Sequence, residues 1–150
     1  MTVDFELTKA PEYRVACLRA KGRWSPNICR PEFAKLVAWA GKNHLKTGKW
    51  IVRESAMGKF EACLEVRGKA KSSGGIRRRT FPASAVARVR FDPDVVSPRV
   101  VYHGLNDWLR WRKKDGEVKS VRSSREVYSG DPWTDKAAWK GTTVEFLVRR

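Results

Sequence analysis

The sequence predicts an α+β domain in which one strand–helix–strand–strand unit is used twice. Three observations carry this prediction. Two short stretches match in kind, Arg14–Arg19 (RVACLR) and Ala85–Arg90 (AVARVR), with Val15-Ala16 falling on Val86-Ala87. Each is followed by an apolar pattern of helical period, and each helical stretch is followed by a pair of strand-like runs. Two such units give a mainly antiparallel sheet with both helices on one face, which leaves the other face for a ligand groove at the pseudo-twofold seam.

The elements follow in chain order. After RVACLR, the residues Phe33, Leu36, Val37 and Ala40 recur at i, i+3, i+4 and i+7. Pro31 suits the first turn of that helix, and Gly48 lies beyond its end. The runs WIVRES (50–55) and FEACLEV (60–66) complete the first unit. In the second, AVARVR leads to Ser97 as N-cap and Pro98 at the first helical position. Val101, Leu105, Trp108 and Leu109 form the apolar stripe. Lys113 and Lys114 complement the dipole of the last turn, and Asp115-Gly116 turns the chain out. Superposing Phe33 on Leu105 pairs Leu36 with Trp108 and Trp39 with Trp111. The run EVKSVR (117–122), continuing into REVY (125–128), and the run TTVEFLV (142–148) close the unit.

Strand side chains alternate between two faces. Ala16, Leu18 and Ala20; Ala62, Leu64 and Val66; Ala85, Ala87, Val89 and Phe91; and Val144, Phe146 and Val148 form apolar rows for the helix side. The opposite face carries Cys17 and Arg19; Glu61, Cys63 and Glu65; Arg88 and Arg90; and Glu145 with Leu147. Glu145 interrupts an otherwise ordinary last strand. It is either the acid of a binding wall or half of a cross-strand pair with Arg88 or Arg90.

The organisation is a single domain over residues 1–150. Its half-repeats cover about 3–67 and 82–150, joined by a basic linker at 68–81. Residues 67–80 hold six cations and no acid around a flexible SSGG centre. As structure this is a solvated linker; as function, Arg77, Arg78 and Arg79 are candidates for contact with nucleic-acid phosphates.

The 150 residues carry 32 Lys and Arg against 16 Asp and Glu, a net charge of +16 that favours polyanionic partners without defining a fold. Seven Trp, six Phe and three Tyr exceed what a minimal core needs and leave aromatics for a cavity. No run has the length of a membrane span, and the N-terminal MTVDFELTK lacks a signal-peptide core. Cys17, Cys29 and Cys63 are odd in number and without CxxC spacing, so the pattern suggests neither a disulfide framework nor a zinc site. The expected compartment is a reducing cytoplasm.

In this order and spacing the motifs resemble the GyrI-like (DNA gyrase inhibitor-like) proteins, the effector-binding domains of certain bacterial transcription regulators. YRVACLRAKGRW is similar to the family's opening strand, FAKLVAW to its first helix and FEACLEV to its acid-bearing strand. LNDWLRW is similar to the second helix, REVYSGDPWT to the Glu-x-Tyr run and VEFLVR to the closing strand with its acid. The resemblance covers about Val3 to Arg150. It departs from the pattern at Asp92-Pro93, where many members have a Gly-aromatic turn, and at Arg149-Arg150, which replaces a Pro. No room remains before the first strand for a helix-turn-helix, so a stand-alone domain is expected.

The resemblance implies a pocket for hydrophobic, aromatic and cationic small molecules, used in sensing or sequestration. It makes Glu145 the ligand acid, Glu126 a second acid, Trp24 and Tyr128 walls, and Trp133 and Trp139 further ligand contacts. No metal and no cofactor is expected. One alternative is a basic protein that binds DNA, RNA or a DNA-bound enzyme such as gyrase. A further alternative is a small hydrolase of strained toxins, with Glu145 as base in the same pocket. Haem would need an axial ligand such as His103, which is more simply a surface helix residue. Ligand identity and oligomeric state are not written in these residues.

Overall fold

The computed structural model describes residues 3–55 and 58–150. Among them are eight strands and three helices, of mixed α+β class with antiparallel pairing. By internal contacts the chain forms two compact units. One is Glu12–Pro82, and the other combines the residues up to Pro11 with Ala83–Arg150.

In the first of these, strands β2 (Tyr13–Arg19), β3 (Lys46–Glu54), β4 (Phe60–Arg67) and β5 (Arg77–Phe81) lie in the order β3-β4-β2-β5, with helix α1 (Arg30–Lys42) between β2 and β3 in the chain. In the second, β1 (Phe5–Ala10), β6 (Ser84–Phe91), β7 (Ser120–Tyr128) and β8 (Thr142–Arg149) lie in the order β1-β6-β8-β7. Helix α2 is Pro98–Lys114 and helix α3 is Lys136–Lys140. The duplication read from the sequence is therefore present, and each unit has one strand more than expected.

Those additional strands redraw the expected boundaries. The segment 68–81, taken as linker, contains β5, which pairs with β2 from Tyr13↔Phe81 to Cys17↔Arg77. The half-repeat expected to start near residue 3 gives its first strand to the later unit, where Phe5 pairs with Val89 and Ala10 with Ser84. Ladder hydrogen bonds choose a strand's partner, and chain adjacency does not. RRRTF lacks an apolar signal because an edge strand tolerates, and is protected by, charge.

Helix α2 obeys its pattern. Val101, Leu105 and Leu109 are buried and pack with Ala87, Val89, Phe91, Val144, Phe146 and Val148. The Asp115-Gly116 exit is as read: Gly116 has φ 80°, and the Glu117 amide donates to the Arg112 carbonyl at 2.9 Å. Ser97 precedes the helix, but its side chain makes no capping bond. Helix α1 buries Phe33, Leu36, Trp39 and Ala40 against β2, β3 and β4. Its expected stripe is corrected at one residue, since Val37 is exposed and Trp39 takes the inner place. The helix ends at Lys42 with Asn43 as C-cap, and Gly48 belongs to β3 at an irregular step between Thr47 and Trp50.

The face away from the helices holds a surprise. In the Glu12–Pro82 unit Cys17, Cys63, Ile51, Val15 and Glu61 are buried on that side of the strands, and in the other unit Val86 and Glu145 are buried on the corresponding side. Those positions are covered, whereas Arg19 and Arg90 in the same alternation are exposed.

Candidate functional site

Glu145 lies near the middle of β8, which is hydrogen-bonded to a strand on each side. Across the ladders it stands opposite Arg88 of β6 and Arg125 of β7. Side chains in register share a face, so both guanidiniums reach the carboxylate. Arg88 Nε and Nη2 donate to Oε2 at 2.9 and 2.7 Å, and Arg125 Nε donates to Oε1 at 2.8 Å. Glu6 on the edge strand β1 extends the row, opposite Arg88 and 3.9 Å from it. The row alternates in sign, Glu6–Arg88–Glu145–Arg125, and Glu145 is only 1% exposed within it. Charge-assisted bonds at these lengths are strong, and they satisfy a carboxylate that burial would otherwise penalise.

The cross-strand pair with Arg88 that the alternation allowed is thus formed, whereas Arg90 faces Thr143 and is exposed. Arg125 was not anticipated. Its place opposite Glu145 depends on the β7–β8 register, which shifts between Val121 and Ser123. A shift of that kind leaves no mark in the alternation.

Glu126 sits on the other face. It pairs with Val144, whose side chain is in the α2 core, and it accepts hydrogen bonds from Tyr102 of α2 (2.7 Å) and from Tyr128. Strand alternation therefore separates the two candidate acids and ties Tyr128 to Glu126. Trp139, half-buried in α3, donates its indole N–H to Asp94 Oδ1 at 3.0 Å. Trp133 lies in the turn before α3, its amide donating to Asp131 Oδ1 at 2.9 Å. Trp24, in the loop after β2, is 64% exposed.

The equivalent register place in the Glu12–Pro82 unit is held by different chemistry. With Val15-Ala16 matched to Val86-Ala87, the pairs Cys17↔Cys63 and Ile51↔Cys63 stand where Arg88↔Glu145 and Arg125↔Glu145 stand. The Cys17 thiol donates to Cys63 Sγ at 3.1 Å. Burial pushes the Cys63 thiol well above its usual value, the hydrogen bond and charge of Cys17 and the charge of Glu61 add to this, and Arg79 opposes it. Cys17, Glu61 and Cys63 bring potential metal-ligand atoms within 4.8 Å of one another, a cluster the sequence spacing did not suggest. Glu61 is already engaged by arginines, with Arg79 Nη1 at 2.8 Å and Arg53 Nη1 at 3.5 Å from Oε1.

The Arg77–Arg79 side chains do not all turn to one face. In β5 the side chains of Arg77 and Arg79 turn to Glu61, whereas Arg78 turns away and donates to the Gly68 carbonyl at 3.1 Å.

No protein-family model matches the sequence, and no curated protein matches it. Solved structures do match. The C-terminal domain of EcmrR aligns with 100% of this chain and 99% of its own, at TM-score 0.70 and 20% identity. The EcmrR chain in a complex with DNA aligns with 99% of this chain at TM-score 0.66 and 20% identity, and this chain spans 58% of its length. A hydrolase from Listeria innocua aligns with 97% of this chain and 91% of its own, at TM-score 0.63 and 10% identity. The fold is that of the GyrI-like domains. No helix among the described residues is long and apolar enough to cross a membrane.

Proposed function

We propose that the chain is a small-molecule-binding domain of the effector-binding type, for hydrophobic and aromatic ligands including cationic ones, serving to sense or sequester them. The observation that carries this reading is the full-length match of its fold to the EcmrR C-terminal domain. The motif resemblance points the same way. The ligand face proposed is that of Glu145; Trp133 and Trp139 are proposed as its aromatic contacts on the motif resemblance alone, and Glu126 and Tyr128 are left out because they lie on the opposite face.

The Arg88–Glu145–Arg125 cluster modifies the expected chemistry. Three guanidinium hydrogen bonds already reach the carboxylate, so a ligand cation must compete with two arginines. Stacking on aromatic rings therefore carries most of the affinity, and the preference for a positive ligand is small. The same engagement leaves Glu145 poorly placed as a catalytic base, so the hydrolase reading is not adopted.

Isothermal calorimetry with one planar cationic dye and its neutral isostere tests the reading. Both should bind, with affinities within about tenfold of each other, an energy of about 1.4 kcal/mol. Trp133→Ala should weaken both alike by about 0.5–1.5 kcal/mol, the scale of an aromatic contact. If neither dye binds the wild-type protein, the small-molecule reading is wrong. A strong preference for the cation that disappears in Glu145→Gln would instead restore the carboxylate as a direct ligand contact.

A further inference from the structure

We propose a second binding site, in the Glu12–Pro82 unit, for a small molecule bearing a phosphate or diphosphate group. It is additional to the Glu145 face and takes a ligand of the opposite charge. A cleft of about 500 Å³ is lined by Arg19, Arg53, Lys59, Arg77 and Arg79, with Glu61 the sole acid in its lining. That volume exceeds the needs of a bare ion and suits a small organic ligand.

The charge balance is what selects the ligand. Glu61 meets Arg79 at 2.8 Å, Arg53 at 3.5 Å and Arg77 at 3.6 Å, so one carboxylate serves three guanidiniums. Among the described residues Arg19 and Lys59 pair with no acid. Five cations against one acid leave the cleft with a surplus of four positive charges. Like charges held together repel, and an anion relieves that repulsion.

The cations are also positioned rather than merely abundant. Arg79 and Arg53 lie over the Phe81 ring at 5.3 and 5.8 Å, and the Nη1 of each donates to Glu61 Oε1. Ordered guanidinium forks match phosphate oxygens in pairs, and little side-chain freedom is left to lose on binding. Glu61 thus orders the arginines without neutralising them. Strand alternation in β5 supports a cleft over an extended nucleic-acid stripe, because Arg78 points to the opposite face.

The test uses inorganic pyrophosphate as the probe, titrated into the whole protein at low salt, with a short DNA duplex as a parallel arm. Wild type should bind pyrophosphate. Arg79→Gln should weaken it about tenfold, as expected on losing a charge-assisted hydrogen bond. Arg19→Gln removes an exposed, unpaired side chain that folding does not need, and should weaken binding about threefold through lost charge. Arg78→Gln should leave affinity unchanged within about twofold, since surface charges on another face act weakly. Absence of pyrophosphate binding overturns the site. Equal losses in Arg78→Gln and Arg79→Gln also overturn it, and duplex binding with such equal losses assigns the arginines to nucleic acid instead. The pyrophosphate and dye experiments fail separately, because they probe different units with ligands of opposite charge.

Discussion

Glu145 and Cys63 occupy the same register place in the two units and have opposite requirements. Glu145 is stable in its buried position because Arg88 and Arg125 surround it. Cys63 is stable because it stays protonated, buried beside the Cys17 thiol and the Glu61 carboxylate, and its titration is a test of that environment. A group whose folded-state value is raised contributes stability that is fully present below the unfolded thiol value of about 8.5. That contribution is lost as pH rises through the raised value of the folded state. Thermal melts at stepped pH on wild type and Cys63→Ala should show the wild type losing stability more steeply above pH of about 8.5. Parallel slopes would place Cys63 in a solvated setting. The thiol pair, like the Arg125 contact, could not be found from one chain position. It requires the β2–β4 register, whereas the Glu145–Arg88 contact was legible as one of two alternatives.

The elements show where periodicity sufficed. Helix α2 presents Leu105 to the core and Trp111 to solvent, with the latter 62% exposed. Leu105→Ala should cost about 2–5 kcal/mol in urea melts, the range for a buried leucine. Trp111→Ala should cost less than about 0.5 kcal/mol, as a surface change. Comparable losses would mean that the helix is rotated from this placement. Trp108 lies between these limits, half-buried against the core with its ring 6.0 Å from Phe5 and Arg112 above it. The equivalence of Trp39 with Trp111 holds in sequence but not in burial, since Trp39 is 8% exposed. The short elements left weaker signals. Helix α3 spans five residues and depends on the Asp135 side chain accepting from the Ala137 amide at 3.0 Å. The split between EVKSVR and REVY marks the irregular step inside the single strand β7.

At the scale of the whole chain, 32 basic and 16 acidic residues must coexist in one folded protein. Most of that charge is on the surface, while the acids Glu61 and Glu145 are drawn inward to bind arginines. Surface self-repulsion is screened by salt, and buried pairs are screened much less. Melting temperature should therefore rise when ionic strength goes from about 0.01 M to about 0.1 M, as the Debye length shortens from about 30 to about 10 Å. A fall over that range would show that exposed ion pairs contribute more than the excess of positive charge costs.

The linear sequence was enough for what depends on near neighbours. Helix and strand periods, the turn at Asp115-Gly116 and the inner apolar rows are all set by residues a few positions apart, and so is the duplication that repeats them. The partners of the edge strands, the guanidinium cluster around Glu145 and the cationic cleft around Glu61 depend on residues brought together across the ladders. Arg88 and Glu145 are 57 positions apart, and Arg79 and Glu61 are 18 apart. Their meeting is decided by inter-strand register, because a shift of one residue would turn each side chain to the other face. That is why the acids were legible in the chain, and Arg88 as one of two alternatives for Glu145, while Arg125 and the arginines around Glu61 were not.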